Sequence, residues 1–235
     1  MRTPLKAGLL ILLLVIPALA FLFLKNFGRN EYSLPRYIPQ LDSTSGEILM
    51  KTSVVDGKEI MDTVFHTVPG FNLTDQHNTQ VTGEIVKGKI HVADFFFARC
   101  PGICPKMSSQ LQRVQEQFLN NPDVVILSYT VDPEHDSVEA LQNYAQQYGA
   151  VKGKWSLLTG DRSQLYNLAK RGYFVTAKEG NLQSADIEEN FVHTDKFILV
   201  DKEGHIRGFY NGTDPKDVDR LNLEIKILID HYKTQ

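Results

Sequence analysis

Two cysteines, the only ones in the chain, stand four residues apart in Cys100-Pro101-Gly102-Ile103-Cys104-Pro105. Before them runs the apolar, β-branched and aromatic stretch 90–97. After them Met107, Leu111, Val114 and Phe118 recur with helical period. This pattern predicts a strand-to-helix junction, with Pro105 in the first helical turn, where its missing N–H goes unused. A spacing of i, i+4 brings both sulfurs onto one helix face. The free amides and partial positive charge of a helix N-terminus favour thiolate over thiol. Two soft thiolates side by side suit Cu(I), or they close into a redox-active disulfide. As a plain staple the pair would contribute little, because so short a loop removes only about 2 kcal/mol of unfolded-state entropy, against about 3 for a 15-residue loop.

Two thiolates rarely complete a copper site, so a third donor is sought among histidine, methionine and carboxylate. The chain has seven histidines. His66 and His77 precede the sheet in polar surroundings, and His91 sits inside the strand before the cysteines. His205 belongs to a late hairpin and His231 to the C-terminus. Two remain. His135 lies in Asp132-Pro133-Glu134-His135-Asp136, a loop at the carboxyl end of a strand, where loops of parallel sheets converge. His193 precedes a strand and reaches the same edge only if that strand runs antiparallel. Spacing alone does not choose between His135 and His193. Asp132 has an ordinary explanation too, since Asp-Pro starts turns and caps helices without further function.

The elements that would position these groups are legible as alternation. A tether at 26–62 leads to a domain at 63–235, which opens with the hairpin-like pair 71–74 and 80–82 around a polar turn. The strand 90–97, the cysteine loop and a helix over 106–119 follow. Residues 124–131 form a nearly continuous apolar run of the kind buried on both faces. A helix follows from Val138, then the short strand 155–159, a helix over 163–170 and an irregular polar stretch, 173–190. Strands 194–200 and 205–210 flank a turn, and Asp214-Pro215 opens a last helix. The order β-α-β-α-β-α, then β-β-α, predicts an α/β fold with a central mixed sheet flanked by helices, and this order resembles the thioredoxin fold.

The 235 residues are 42% hydrophobic, enough for one domain with a full core. Net charge is −3 with both signs interspersed, and no basic stripe points to nucleic acid. Residues 7–24 are uncharged and almost wholly apolar, just long enough to span a bilayer. Ala18-Leu19-Ala20 offers a signal-peptide exit, but Phe21–Leu24 continues the apolar run past it, which favours residues 1–25 as an uncleaved single transmembrane anchor. Flanking positive charges are nearly equal and decide little about orientation. Either way the domain is expected outside the cytoplasm, where cysteines oxidise and a thiol reductant is needed before they can hold metal. Fully extended, the tether reaches about 120 Å, so the domain is not pinned to the membrane surface unless parts of the tether pack on it.

At this point a resemblance becomes specific. Phe97-Ala98-Arg99-Cys100-Pro101-Gly102-Ile103-Cys104-Pro105 resembles the F-x-x-C-P-x-x-C-P signature of the Sco/SenC family. Thr130–Asp136 resembles its V-D-P-x-x-D segment, and Val192-His193-Thr194, running into Ile198–Asp201 and Gly204, resembles its histidine-to-hairpin segment. The likeness covers residues 64–232. It implies a membrane-tethered copper chaperone on the periplasmic side of the cell membrane, acting on the CuA-bearing subunit of cytochrome c oxidase. It further implies copper ligands at Cys100, Cys104 and His193, with Asp132 as an auxiliary acidic residue. Two thiolates and an imidazole would give Cu(I) a three-coordinate, transferable site, whereas a closed four-ligand cage is a poor donor.

A thiol-disulfide oxidoreductase that reduces an oxidase subunit's cysteines is the competing function. Thioredoxin-type enzymes usually separate their cysteines by two residues and face them with a cis-proline. Here three residues intervene, and 185–196 holds no proline. By resemblance, His193 takes that place, which suits metal better than disulfide exchange. The chain is therefore expected to be a metallochaperone rather than an enzyme, with ancillary redox activity compatible because copper binding needs the reduced dithiol.

Overall fold

The computed structural model describes residues 3–27, 33–42, 44–55, 58–175 and 194–233. An N-terminal helix, α1 (Thr3–Phe27), precedes a hairpin of β1 (Met50–Val55) and β2 (Lys58–Thr63). Then come β3 (Asn72–Asp75), β4 (Gln80–Thr82), β5 (Ile90–Phe96), α2 (Ile103–Phe118), β6 (Val124–Thr130), α3 (Val138–Gln147), β7 (Trp155–Thr159) and α4 (Arg162–Asn167). A single π turn, Leu168–Gly172, extends α4, and β8 (Lys196–Val200), β9 (Ile206–Asn211) and α5 (Pro215–Lys233) close the domain.

Seven strands form one mixed sheet in the order β4-β3-β7-β6-β5-β8-β9. The three central strands run parallel, while β3 joins β7 and β8 joins β5 antiparallel. All seven positions of β5 and of β6 are buried, which is why both read as near-continuous apolar runs. Alternation divides them between two faces. Ile90, Val92 and Phe96 pack with the apolar stripes of α2, α3 and α5. Ala93 and Phe95 pack with α4, the π turn and the β3–β4 hairpin. Each large side chain so buried contributes about 1.5–3 kcal/mol relative to exposure.

The α/β architecture fits the thioredoxin-like expectation, and the β3–β4 pair is the expected hairpin. Helix α2 begins at Ile103 rather than Lys106, so Cys104 and Pro105 both lie inside its first turn. Gly102 occupies the N-cap with no capping side chain.

Residues 33–41, read from sequence as tether, lie along the domain. Leu34 is buried in the α2–α5 core. Arg207 donates to the carbonyls of Leu34 and Pro35, and the Tyr37 amide donates to the Ile206 carbonyl at 3.1 Å. Arg207 is itself anchored on buried Asp201 at 2.7 Å. Gln40 accepts from the Leu49 amide at 2.8 Å and donates to Val64 at 2.8 Å, which joins this strap to the base of the β1–β2 hairpin.

The backbone of α1 runs 25 residues and contains Pro17. Its side chains are described at Gly8 and over 11–24, where all are exposed. Among the described residues, no helix is long and apolar enough to cross a membrane.

Candidate metal centre

The cysteines sit where β5 hands over to α2, at the carboxyl edge of the parallel strands. Both thiols are free, and both residues are buried, Cys100 at 8% and Cys104 at 3% exposure. The Cys100 amide closes a turn onto the Phe97 carbonyl at 3.2 Å, and this turn aims its sulfur at the start of the helix.

The two sulfurs are not equivalent. Burial pushes the Cys100 thiol up, but the amides of Cys104, Gly102 and Ile103 and the Cys104 thiol all hydrogen-bond to it and together lower its pKa below the ordinary value. Cys104 is pushed up to about 12, first by burial and then by donating to Cys100 and by the negative charge of Cys100 and Asp94. Thiolate character expected of both cysteines therefore falls on Cys100. The reason is that the Cys100 sulfur receives the free amides of the helix start, whereas Cys104, itself in the first turn, is the more deeply buried and gives its thiol hydrogen to Cys100.

A second loop, 131–137, meets the cysteine loop. The Val131 amide donates to the Phe96 carbonyl at 2.9 Å, which aligns the ends of β5 and β6. Asp136 is fully buried. The Ala98 amide lies 3.2 and 3.1 Å from its two oxygens, and the Thr130 hydroxyl donates to one of them. Ala98 is two residues from Cys100, so this carboxylate fixes the cysteine loop to the end of β6. Burial raises the Asp136 pKa, against the hydrogen bonds that it accepts.

Asp132 lies on the rim. It pairs with Arg99, next to Cys100, at 2.8 Å and with His135 Nδ1 at 2.8 Å. Burial opposes ionisation there, but the hydrogen bonds from His135 and Arg99 prevail and hold the carboxyl below its usual range. Its carbonyl also accepts the His135 and Asp136 amides at 3.1 and 2.9 Å, so Asp132 serves the turn as well. His135 is exposed, with its Nδ1 engaged by Asp132.

Beneath the site lies Asp94, buried on the α2 face of β5. The Ser128 hydroxyl donates to it, and Trp155 Nε1 donates to that hydroxyl at 2.8 Å. Burial pushes the Asp94 carboxyl up to about 7.

His193 lies outside the described residues. Strand β8 does run antiparallel to β5, with His91 opposite Val200 and Ala93 opposite Ile198. Residues 194–195 thus enter β8 at the sheet edge that carries the cysteines. Among the described residues, the cluster compact enough to hold a metal ion is Asp201, Glu203 and His205, in the β8–β9 turn. Its charges are answered by Arg207 on Asp201 and Arg36 on Glu203, and Asp201 also accepts the Glu203 and His205 amides at 3.0 and 2.8 Å. This arrangement shapes a turn and is a poor cation site.

Sequence reasoning did not single out Asp136 or Asp94. For Asp136 a signal existed, since it closes the Asp132-Pro133-x-x-Asp136 spacing. Asp94 is hidden in an apolar strand, and its partners come from β6 and β7.

The sequence pattern of the SCO1/SenC protein family matches residues 61–227. The SCO1 protein homolog of Bacillus subtilis is 29% identical over 185 residues, which cover 78% of this chain and 93% of that one. A Stutzerimonas stutzeri protein named for copper binding is 29% identical over 170 residues, 71% of this chain and 78% of that one. Among solved structures, BsSco superposes with a TM-score of 0.55 at 29% identity over 68% of this chain and 92% of that one. BsSco is a member of the Sco family of cytochrome c oxidase assembly proteins, and a disulfide switch has been identified in it.

Proposed function

The chain belongs to the SCO1/SenC family, and from that premise we propose that it carries copper for assembly of the CuA centre of cytochrome c oxidase. The observation that carries this reading is the pair of free, buried thiols at the opening turn of α2, held by a loop that Asp136 fixes in place. Two soft sulfurs of this kind suit Cu(I), and copper is the cargo. Cys100 and Cys104 supply the thiolates. We assign the third ligand to His193, supported by the antiparallel entry of β8 at the dithiol edge. Asp132 orients Arg99 and His135 beside the site. Helix α1 anchors the chain in the membrane, supported by the uncharged apolar run 7–24 of the sequence, which is longer than the stretch 11–24 over which the side chains of α1 are described. The domain, 63–235, lies on the periplasmic side, where a thiol reductant must keep the dithiol open.

The reduced full chain should bind one Cu(I). His193→Ala should weaken binding by far more than His135→Ala, and X-ray absorption should lose its nitrogen scatterer in the first variant alone. Equal losses would remove His193 from the ligand set. The oxidised chain should bind no Cu(I) until reduced.

A second reading is favoured by the asymmetry of the thiols. A Cys100 thiolate can attack a disulfide of an oxidase subunit, forming a mixed disulfide and expelling one substrate thiolate. Cys104, once deprotonated, attacks the Cys100 sulfur and releases the second, so that two electrons pass to the substrate. Burial, the largest cause of the raised Cys104 pKa, persists in the mixed disulfide and hinders that second step, while the part owed to the Cys100 charge is lost there. The three-residue spacing of the cysteines is what places this role behind copper carriage. Robust turnover in a disulfide-reduction assay would reverse that order.

A further inference from the structure

Outside α1, the described residues expose eleven large apolar side chains, and seven of them fall between Tyr37 and Met61. The β1–β2 hairpin gathers most of these. Among the described residues its strands pair only with each other, in a sheet of their own. The register puts Met50 opposite Thr63, Thr52 opposite Met61 and Val54 opposite Glu59. Met50, Val54 and Met61 therefore share one face, at 45%, 67% and 69% exposure. Alternation carries that face back to Ile48, which is bridged to exposed Leu41. A two-stranded hairpin that buries neither face is marginal in water, and a concentrated apolar patch marks something that covers it.

We propose that the Met50–Val54–Met61 face of the hairpin rests on the surface of a phospholipid bilayer. This inference depends on α1 as the anchor. Leu34 is fixed in the core, so the chain available between Phe27 and Leu34 spans at most about 25 Å. The strap and the base of the hairpin, joined through Gln40, must then stay near the bilayer into which α1 inserts. Tyr37, half exposed on the strap, is the residue type favoured at a lipid–water boundary. Residues 37–63 carry five carboxylates against two lysines. Attraction to anionic lipid is therefore not the driving force, and apolar contact with zwitterionic lipid is. Of the six side chains on this face only Glu59 is charged, at its distal end, so the face lacks the charge pattern that a specific protein partner would read.

The test uses the full chain in phosphatidylcholine vesicles with brominated acyl chains. Val54→Trp and Met61→Trp are compared with Leu119→Trp and Leu223→Trp, which are exposed positions on the domain's helical side. The native Trp155 is buried and common to all four. Fluorescence at positions 54 and 61 should be quenched several-fold more strongly than at 119 and 223, without dependence on salt. An alkaline wash of the vesicles reports α1 separately. If the chain stays on washed vesicles while positions 54 and 61 show no more quenching than the controls, the hairpin proposal is overturned and the anchor stands. If the chain washes off, the anchor itself fails. If positions 54 and 61 become shielded only when the CuA-bearing oxidase subunit is added, a protein occupies the face and the lipid proposal is again overturned.

Discussion

At the scale of single residues, chemistry is set by which donor reaches which acceptor. Asp136 binds no cargo in our reading, yet it satisfies the Ala98 amide and the Thr130 hydroxyl from a fully buried position. Asp136→Ala leaves both donors without their acceptor, and a buried group so stranded costs about 1–3 kcal/mol. The expected outcome is an unfolding free energy in urea lower by that amount and a faster loss of Cu(I) to a competing chelator. Asp136→Asn, which keeps an acceptor oxygen, should recover much of both. The thiol asymmetry gives a second expectation at this scale. Alkylation of the reduced chain near neutral pH should modify Cys100 well before Cys104, as peptide mapping after brief exposure would reveal.

At the scale of elements, the strap shows how a segment that reads as linker becomes structure. Arg207 and Asp201 form a buried pair, and the same guanidinium caps the strap's carbonyls. Arg207→Ala strands a buried carboxylate, for which about 3–5 kcal/mol of lost stability is expected. Hydrogen exchange at Tyr37, whose amide bonds β9, should accelerate in that variant more than at the centre of β5. The sequence disclosed the strands best, because β5 and β6 are buried on both faces and leave no ambiguity of period. The start of α2 was harder to place. Gly102 and Ile103 carry no capping side chain or period signal, and the first turn is recognisable only from the amides that it presents to Cys100. Leu34 falls in the stretch read as tether, and its burial goes with a hydrogen bond that its carbonyl accepts from an arginine 173 positions away. The dithiol was legible because its spacing is local. The supports beneath it, Asp94 through Ser128 and Trp155, join three strands and leave no mark in any single window.

At the scale of the whole molecule, two buried titratable groups pull stability in opposite directions with pH. Asp94 has its folded-state pKa raised from 3.8 to about 7, so its contribution is complete below about pH 4 and is lost as pH rises through 7. His91, on the other face of β5, has its pKa lowered from 6.5 to about 3, chiefly by burial. Its contribution is complete above 6.5 and is lost as pH falls toward 3. Between pH 4 and 6.5 the two slopes oppose each other in the reduced, metal-free chain. Urea unfolding across that interval should show stability rising more steeply with pH in Asp94→Asn than in the wild type. His91→Gln should turn the rise into a fall.

The clasp between Ala98 and Asp136 also makes the protein its own gauge. An amide proton held by a buried carboxylate resonates far downfield and exchanges slowly with solvent, so it should stand apart in a proton–nitrogen correlation spectrum. Because that proton is two residues from Cys100, its frequency should jump when the sulfurs change from open to bonded or take up cargo. A single resolved peak would then report the state of the dithiol in the detergent-solubilised chain, with no dye or tag attached.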